Sequence, residues 1–377
     1  MAGGQGTRLR PLTFIRPKPM IPLVNKPIME HIMERLKQYH FKDLILTLNY
    51  LSSDIMSYFK DGSNKDLNIT YSVEKSPLGT AGSVKKAEKY LDETFMVLSG
   101  DVVSDINFSE VLKFHKDKGA LATLVVTTVK DPSHFGIAEF DDDMKITKYL
   151  EKPAPQEAFS NMANTGTYIL EPEIFEYFDG LSGEVDFSRD IFPQLISEDA
   201  GIYGYIFDGY WNDVGRPETY LNATYDVLSQ KIKQKIYPKS LKEDVGKLGN
   251  IWMGKNITIG PRVRIEGPVV LGSNCTIGEG CTLSKGTVIG ESVTVGNGTT
   301  IQSSVILANT AVHSNSFLKG CIVDTDCEIE KNTIIEEGVV TGSNVKIGKN
   351  SIIKSASTIK NGSIILPYSV IDAQYEG

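Results

Sequence analysis

Cysteine and long apolar runs are both scarce in this sequence. Its four cysteines among 377 residues are too few for the disulfide framework of small secreted domains. No stretch approaches the ~20 consecutive apolar residues that a membrane-spanning helix needs, and no signal-peptide pattern opens the chain. Basic residues are also in the minority, with 39 Lys and Arg against 47 Asp and Glu, which argues against a general nucleic-acid-binding protein. We therefore expect a cytoplasmic protein without membrane or nucleic-acid partners.

The composition is instead that of a folded protein with more than one domain. Hydrophobic residues make up 41% and charged residues 23% of the chain, which are ordinary values for globular domains. At roughly 150 residues per domain, the length predicts two or three domains. A lysine-rich stretch, residues 231–246, is interpreted as the linker between an N-terminal domain, 1–230, and a C-terminal domain, 247–377.

The C-terminal domain has an aliphatic residue at every sixth position, often followed by glycine. A first run of this row extends from Ile259 to Leu307, and a second extends from Val323 to Ile371, with Thr341 as its polar member. This pattern resembles the left-handed parallel β-helix, in which each hexapeptide forms one side of a triangular coil. At about 18 residues per coil, residues 257–372 would form about six coils. The interruption at Ala311–Phe317 is interpreted as a change of phase within one continuous helix.

The N-terminal domain alternates between β-rich runs and helical patterns. This alternation predicts a Rossmann-like α/β domain with a mainly parallel sheet covered by helices. The predicted strands are 43–48, 68–73, 94–99, 122–129, 146–151 and 166–170, and the predicted helices are 27–38, 52–59, 80–90, 108–116 and 218–230.

The start of the chain combines a glycine-rich turn with a local excess of positive charge. Gly3, Gly4 and Gly6 form the turn, and residues 1–30 contain five basic residues but only one acidic residue, Glu30. Glycine allows backbone N–H groups to converge on phosphate oxygens without a clash at Cβ. The turn has neither the Gly-Lys-Ser/Thr of a P-loop nor the Gly-x-Gly-x-x-Gly of a dinucleotide site. The segment is therefore predicted to be an anion site of another type.

Six segments of the N-terminal domain together resemble the signature of the sugar-1-phosphate nucleotidylyltransferases. The resemblance covers residues 1–230, and this family often carries a C-terminal hexapeptide β-helix. Within the family, the sequence most resembles the enzymes that transfer a guanylyl group to mannose 1-phosphate. The matching segments are Gly3–Thr13 with Pro17–Pro19, Glu74 with Leu78–Gly82, Ser99–Asp101, Phe135–Ile137, Glu151–Pro153 and Trp211–Gly215.

This resemblance implies a reaction and its partners. An oxygen of a hexose 1-phosphate, favoured as mannose 1-phosphate, would attack the α-phosphorus of a nucleoside triphosphate, favoured as GTP, and release pyrophosphate. Positioning and charge neutralisation supply most of the catalysis in such a transfer, and no covalent nucleophile is needed. The implied cofactor is Mg²⁺, and the implied assembly is a homo-oligomer.

The resemblance also implies a role for each residue of a candidate site. Asp101 and Asp213 would bind Mg²⁺, a cation that prefers carboxylate oxygens. Arg8, Lys18 and Asp101 would be catalytic, the two cations stabilising the charge that develops on the phosphates. The nucleotide-binding residues would be Ala2, Gly3, Gly4, Gly6, Thr7, Gly79 and Thr80. The residues that bind the hexose 1-phosphate would be Gly136, Glu151, Lys152 and Asn164, the last in Asn164-Thr165-Gly166, where the family more often has Asn-Ala-Gly.

Several alternatives stay open at this point. The same reaction with dTTP or UTP and glucose 1-phosphate differs by a few base and sugar contacts. A non-catalytic regulatory or scaffold homologue is disfavoured because it would not need all four charged residues named above. His313, the one histidine of the repeat domain, could be the base of an acyltransferase or a residue at a bend, and the bend is favoured. The four cysteines, Cys275, Cys281, Cys321 and Cys327, are interpreted as core residues and not as zinc ligands.

The sequence departs from the family pattern at its start. The family places an apolar strand directly before the glycine turn, whereas here only Met1 and Ala2 precede Gly3. A central strand of a parallel sheet is hydrogen-bonded on both sides, so losing it leaves unpaired backbone groups. We therefore expect the natural chain to start several residues upstream with an apolar stretch.

Overall fold

The structure, a computed structural model, describes residues 1–232, 242–243 and 250–375. They divide into two compact units. The first unit comprises Met1–Gly4 and Ile32–Asn212, and the second comprises Gln5–His31 and Asp213–Gly377. The predicted boundaries at 230 and 247 stay a prediction, because most of the predicted linker lies outside the described residues.

The first unit is built around a six-stranded sheet whose longest strand is Met162–Leu170. Hydrophobic residues from this strand and its neighbours, such as Leu124, Val126 and Leu170, are fully buried. Met162–Leu170 is antiparallel to Phe95–Leu98, Ala122–Thr128 and Gly136–Phe140, while Ile146–Glu151 is antiparallel to Gly136–Phe140 and Ile202–Ile206 is parallel to Ala122–Thr128. Separate pairs are formed by Asp43–Leu48 with Asn68–Val73, in parallel, and by Val102–Ser104 with Trp211–Asp213.

The five predicted helices are present, although the one predicted at 80–90 is divided into Gly79–Lys85 and a short turn, and Phe192–Ser197 is a helix that was not predicted. Phe108–Lys118 shows why they form where they do: the Asn107 side chain accepts hydrogen bonds from the first free N–H groups, and Gly119 ends the helix with φ 56°. Among the described residues, no helix has the length and apolar character needed to cross a membrane. The α-helices are Ile28–Gln38, Ser52–Phe59, Gly79–Lys85, Phe108–Lys118, Phe192–Ser197 and Pro217–Leu228. Shorter 3₁₀ or π turns are Thr7–Leu9, Lys18–Met20, Ser63–Lys65, Glu88–Tyr90, Pro132–His134, Pro155–Glu157, Pro172–Phe178 and Phe187–Ile191.

The predicted fold class is confirmed for the N-terminal part of the chain. Each of the six predicted strands is present, and Asp43–Leu48 and Asn68–Val73 have the predicted bounds. The prediction was a mainly parallel sheet, whereas four of the five pairings in the described six-stranded sheet are antiparallel. Alternation of hydrophobic residues locates a strand but does not give its direction relative to a distant partner, so this difference could not be predicted from the sequence.

The second unit contains a parallel β-helix with three faces. Its core is a continuous aliphatic cluster that includes Ile277, Ile301, Ile329 and Ile353, all with at most 1% exposure. Face A consists of Ile251–Met253, Val269–Leu271, Thr287–Ile289, Val305–Ile306, Ile322–Val323, Val340–Thr341, Thr358–Ile359 and Gln374–Tyr375, with Lys242–Glu243 antiparallel to the first. Face B consists of Thr258–Ile259, Thr276–Ile277, Thr294–Val295, Ala311–Val312, Glu328–Ile329, Lys346–Ile347 and Ile364–Ile365. Face C consists of Arg264–Ile265, Thr282–Leu283, Thr300–Gln302, Phe317–Lys319, Ile334–Ile335, Ile352–Ile353 and Val370–Ile371. A hairpin pair, Pro22–Leu23 with Lys26–Pro27, also belongs to this unit.

The left-handed β-helix is confirmed, with two corrections to its coils. Seven strands on faces B and C give about seven turns where the spacing predicted six. The predicted change of phase at Ala311–Phe317 is wrong in position, because Ala311–Val312 and Phe317–Lys319 are regular strands. Instead, two coils are each one residue short: Val305 pairs with Val288 and with Ile322, which lie 17 residues to either side.

The two missing residues explain the interrupted sequence pattern. Both are lost at the corner that leads from face C to face A, at 302–305 and again at 319–322. Each loss moves the core-facing row by one position, and together they move it by two. The helix is continuous, as predicted. All four cysteines are buried and free, which confirms their interpretation as core residues.

Candidate active site

Two cations and one carboxylate form a small cluster within the second unit. The Nζ of Lys18 donates a hydrogen bond to Oδ1 of Asp213 at 3.0 Å, and Nη2 of Arg8 lies 3.9 Å from Oδ2 of the same residue. The Lys18 side chain is buried, whereas that of Arg8 is 55% exposed. Two cations beside one carboxylate favour the binding of an anion such as phosphate.

Glycine makes the close approach of these side chains possible. Gly6 has φ 61°, and a Cβ on it would lie 2.9 Å from Cβ of Lys18, so any other residue would displace Lys18. The hydroxyl of Thr13 donates to the Gly6 carbonyl at 2.9 Å and closes the turn. On the other side of the cluster, a Cβ on Gly215 would lie 3.3 Å from both Arg8 and Asp213. The turn that contains the predicted residues Gly6 and Thr7 therefore sets the position of Lys18.

Asp101 lies in the first unit, at the turn that follows Phe95–Leu98. Its Oδ1 accepts a hydrogen bond from the Ser99 hydroxyl at 2.7 Å. The backbone N–H of the preceding residue, Gly100, donates to the Met1 carbonyl at 2.8 Å. The start of the chain and the Asp101 turn are therefore joined directly.

Ala2 and Gly3 lie beside the end of the strand Asp43–Leu48. Ala2 N–H donates to the Thr47 carbonyl at 2.9 Å, and a Cβ on Gly3 would lie 3.4 Å from Asn49 Cβ. Burial lowers the pKa of the Met1 amino group to about 6. The upstream start expected from the sequence stays a prediction.

Gly79 and Thr80, which are predicted to bind the nucleotide, begin a helix that is held by a distant segment. Gly79 has φ 76°, and a Cβ on it would lie 2.3 Å from the Val185 carbonyl oxygen, so this position requires glycine. The Thr80 hydroxyl donates to Asp186 Oδ2 at 2.8 Å and accepts from Phe187 N–H at 3.0 Å. Because the hydroxyl is occupied in this way, a nucleotide contact from Thr80 would use its backbone.

Gly136, Glu151 and Asn164, the predicted sugar contacts, converge on Tyr149. A Cβ on Gly136 would lie 1.8 Å from the Tyr149 hydroxyl and 2.7 Å from Glu151 Oε2. The amide of Asn164 donates to the hydroxyls of Tyr149 and Tyr168, each at 3.0 Å. Burial raises the pKa of both tyrosines, so their hydroxyls stay neutral and can each pass on a hydrogen bond.

Lys152, predicted to bind the phosphate of the hexose, is exposed and pairs with its neighbour. Its Nζ lies 3.0 Å from Glu151 Oε1, and its side chain is 65% exposed. Screening by water makes such a pair weak, so an incoming phosphate would displace the carboxylate at little cost.

Sequence reasoning missed four residues around the candidate site. Tyr149, Tyr168 and Asp186 hold the predicted contacts by the hydrogen bonds given above. Glu74 was noted only as part of a matching segment, although it accepts a hydrogen bond from Leu78 N–H at 3.3 Å and burial raises its pKa. A signal existed for Asp186 alone, because an aspartate two residues before a serine is typical of a helix N-terminus.

Each of the two aspartates, one in each unit, has donor atoms of the type that magnesium prefers. Asp101 and Asp213 are partly exposed carboxylates, and Mg²⁺ is usually bound by one or two carboxylates together with water and substrate phosphates. In the part of the chain that the structure describes, no group of three or more His, Cys, Asp or Glu could hold a metal ion. A magnesium site that is completed by substrate phosphates does not need such a group.

Comparison with known proteins decides the family. Residues 1–230 match the family model described as nucleotidyl transferase. The chain belongs to the nucleotidyl transferase family. Residues 265–376 match a second model, the GMPPB C-terminal domain. The resemblance to the sugar-1-phosphate nucleotidylyltransferases is therefore confirmed for both parts of the chain.

Individual members of the family show the range of its substrates. The UTP–glucose-1-phosphate uridylyltransferase of Synechocystis is 37% identical over 287 residues, which covers 72% of each chain. The mannose-1-phosphate guanyltransferase of Yarrowia lipolytica is 39% identical over 248 residues, 64% of this chain and 67% of the relative. The crystal structure of HddC from Yersinia pseudotuberculosis, complexed with GMP-PN, superposes with a TM-score of 0.51 at 28% identity and covers 59% of this chain and 95% of HddC.

Proposed function

We propose that the protein condenses GTP with mannose 1-phosphate and forms GDP-mannose and pyrophosphate. The observation that carries this proposal is the cluster of Lys18, Arg8 and Asp213 in a member of the nucleotidyl transferase family. Support for the guanylyl group comes from the Yarrowia relative, from the GMP-PN complex of HddC and from the match to the GMPPB C-terminal domain.

The cluster suits the charge that develops in this reaction. A phosphate oxygen of mannose 1-phosphate forms a bond to the α-phosphorus, while the bond from that phosphorus to the bridging oxygen breaks and pyrophosphate leaves with the electron pair. Arg8, which is more than half exposed, would turn to the triphosphate, and buried Lys18 would stay oriented by Asp213. Mg²⁺, when bound by Asp101 and Asp213, would neutralise further charge on the phosphates.

The sugar would be bound by the residues around Tyr149. Glu151 and Asn164 present a carboxylate and an amide, which are suited to the hydroxyl groups of a hexose. Gly136 leaves room beside them, since no Cβ fits at this position. Lys152 would bind the phosphate of the hexose once it leaves Glu151.

The same reaction with UTP and glucose 1-phosphate is the second candidate. Its support is the Synechocystis relative, which matches more of the chain than the Yarrowia relative does.

The predicted cytoplasmic location, homo-oligomeric state and domain boundaries belong to the proposal as well. Fractionation of the native source would test the location, and sedimentation of the purified chain would test the oligomeric state.

Pyrophosphate release from a matrix of substrates distinguishes these candidates. GTP, UTP, dTTP and ATP are each combined with mannose 1-phosphate and glucose 1-phosphate in the presence of Mg²⁺. We expect the highest kcat/KM for GTP with mannose 1-phosphate. A higher value for UTP with glucose 1-phosphate would establish the second candidate, and no release from any pair would contradict both.

The roles of the two aspartates are tested by removing one charge at a time. Asp101→Asn and Asp213→Asn should each lower kcat by about 10²–10³-fold, because each loses a carboxylate that acts on the phosphates. Asp326→Asn is the matched control, since Asp326 is an exposed residue on the β-helix. Thermal unfolding should be nearly unchanged in all three variants. Near-normal Mg²⁺-dependent rates in either site variant would show that the assignment is wrong.

A further inference from the structure

The outer side of face A differs from that of the other two faces. From Trp252 to Val340, its outward residues alternate with the core row, are apolar and have at most 5% exposure, whereas Thr358 on the following strand is polar and partly exposed. On face B, the corresponding Thr276, Thr294 and Lys346 are exposed. Face A therefore serves as a packing surface, whereas face B faces solvent. The buried outward residues of face A are Trp252, Val270, Val288, Val305, Ile322 and Val340.

Within the second unit, the segment that carries Arg8 and Lys18 lies on this surface. The side-chain amide of Asn25 donates to the carbonyl of Ile289, on the third strand of face A, at 2.8 Å. Two coils further on, Nη1 of Arg16 lies 2.6 Å from Oδ1 of Asp324. The segment Gln5–His31 is therefore attached to face A at two points.

The contact of Arg16 with Asp324 is a buried ion pair with several bonds. Nη2 of Arg16 also donates to the hydroxyl of Thr325 at 3.2 Å, and the N–H of Thr325 donates to Oδ1 of Asp324 at 2.7 Å. The Asp324 side chain has no exposed surface, and that of Arg16 is 13% exposed. Among the described residues, Oδ2 of Asp324 has no hydrogen-bond partner. Arg16 is thus the main compensation for this buried charge.

Asp324 is an unusual residue for its position in the repeat. It follows the core residue of its face A strand, a position where a small or apolar residue is usual. A buried carboxylate is expensive, and an apolar replacement of a buried ion pair is often neutral or stabilising. A carboxylate buried at this position therefore costs stability unless it is paired, as it is here with Arg16. In the other described coils this position is occupied by Gly254, Gly272, Gly290, Leu307, Gly342 and Lys360.

A second irregularity supports the first. Thr341 interrupts an otherwise aliphatic core row one coil further along. It is fully buried, and its hydroxyl accepts a hydrogen bond from the backbone N–H of Asp324 at 3.2 Å. Thr341 therefore holds the backbone of Asp324, whose carboxylate contacts Arg16.

We propose that Asp324 is a positioning residue that fixes Lys18 for phosphate transfer through its ion pair with Arg16. This inference rests on the proposed function. Arg16 is two residues from Lys18, and Pro17 and Pro19 on either side of Lys18 restrict the backbone between them. Displacement of Arg16 is therefore transmitted to the amine of Lys18, and a shift of about 1 Å at a catalytic group can reduce a rate by about 10²-fold.

Kinetics of Asp324→Asn provide the first test. We expect kcat to fall about 10–100-fold, while KM for the sugar phosphate changes less than about threefold because its proposed contacts lie in the first unit. Asp326→Asn, with the same change of charge two residues away on an exposed side chain, should keep both constants. Thr325→Val removes one bond of Arg16 without leaving a buried charge, so it should give a smaller fall of kcat and serves if Asp324→Asn does not fold.

The Arg16 side tests whether the ion pair carries the effect. Arg16→Lys keeps the charge and should retain more activity than Arg16→Gln. In the double variant Arg16→Gln/Asp324→Asn, the loss should be smaller than the product of the two single losses, because each single change already breaks the same contact. Independent, multiplicative losses would overturn the proposal.

Hydrogen exchange separates this inference from the proposed function. In Asp324→Asn, peptides that cover residues 5–22 should exchange at least about threefold faster than in the unaltered chain, and the core strands of the β-helix should not. Equal exchange would overturn the inference whether or not the chain is active. Faster exchange with unchanged kcat would also overturn it. If the unaltered chain turns over no substrate pair, the proposed function fails, whereas a selective rise in exchange still supports the ordering of this segment by Asp324.

Discussion

At the scale of single residues, His31 links protonation to folding. Its Nε2 lies 2.9 Å from the Leu23 carbonyl oxygen, so this nitrogen carries the proton of the neutral ring and donates it. Its Nδ1 is buried and has no hydrogen-bond partner among the described residues. Burial therefore disfavours the charged ring and lowers the pKa of His31 to about 3.

We expect the stability of the protein to fall in mild acid because of this residue. The folded-state pKa lies below the unfolded value of about 6.5, so the unfolded chain binds a proton below that pH that the folded chain does not bind. The contribution of neutral His31 is fully present above pH 6.5 and is lost as the pH drops toward 3. Between pH 7 and pH 5 the free energy of unfolding should fall by about 2 kcal/mol from His31 alone.

Urea unfolding of a His31→Gln variant measures this contribution. Glutamine can donate to the Leu23 carbonyl but does not titrate, so the variant should lose about 2 kcal/mol less than the unaltered chain between the two pH values. His40→Asn changes an exposed histidine and should keep the original dependence. Equal pH dependence in His31→Gln and the unaltered chain would contradict the prediction.

At the scale of elements, the β-helix depends on which residue of each short strand faces inward. In Ile334–Ile335, a strand that follows both shortened corners, Ile335 is fully buried in the core and Ile334 is 39% exposed. The two residues have the same chemistry and occupy the same strand, so they differ only in the side of the sheet on which they lie.

Truncation of each isoleucine tests this register. Ile335→Ala should lower the free energy of unfolding by about 2–5 kcal/mol, because it removes buried methyl groups and leaves a cavity. Ile334→Ala, as the matched control, should change it by less than about 1 kcal/mol. Urea unfolding provides both values. A larger loss for Ile334 than for Ile335 would mean that the two shortened corners shift the phase differently from the structure.

At the scale of the whole molecule, residues far apart in sequence belong to one compact unit. Gln5–His31 is grouped with residues beyond 213, and Tyr220 joins the two stretches because its hydroxyl donates to the Pro22 carbonyl. Binding of a ligand to Arg8 and Lys18 should therefore stabilise the β-helix as well as the glycine turn. A ligand at about 100 times its Kd stabilises the state that binds it by about 2.7 kcal/mol.

The buried thiols report this coupling. Cys321 is fully buried, burial raises its pKa to about 12, and it lies three residues from Asp324. Alkylation of Cys321 in mild urea should slow by up to about 100-fold when the triphosphate identified by the substrate matrix is added at 100 times its Kd. In Asp324→Asn the slowing should be much smaller. A ligand that leaves the alkylation rate of the unaltered chain unchanged would show that the turn and the β-helix open independently.

Local patterns of the sequence account for much of this fold. The six-residue row predicted the β-helix and its buried cysteines, and the glycine turn with its neighbouring basic residues predicted an anion site. Patterns of this kind repeat over a few residues and carry no information on distant pairs. Arg16 and Asp324 are 308 residues apart in the sequence, so no local pattern predicts their contact. The polar Thr341 in the aliphatic row was the one irregularity noted near Asp324. The hydrogen bond between Tyr149 and Asn164 could not be predicted either, because alternation along Ile146–Glu151 does not identify a partner on another strand.

The spacing of coils in the β-helix sets the distance between the two points at which the segment Gln5–His31 is attached to it. Neighbouring strands of a sheet are about 4.8 Å apart, so the coils of Ile289 and Asp324, two steps apart, separate the two attachment points by about 10 Å along the axis. Gain or loss of one whole coil between them would leave every coil well packed, yet it would carry Asp324 away from Arg16 by one strand spacing. Thr341, one coil further on, belongs to the same arrangement because it bonds the backbone of Asp324. Length changes in related chains are therefore expected beyond Thr341 and not between the two attachment points.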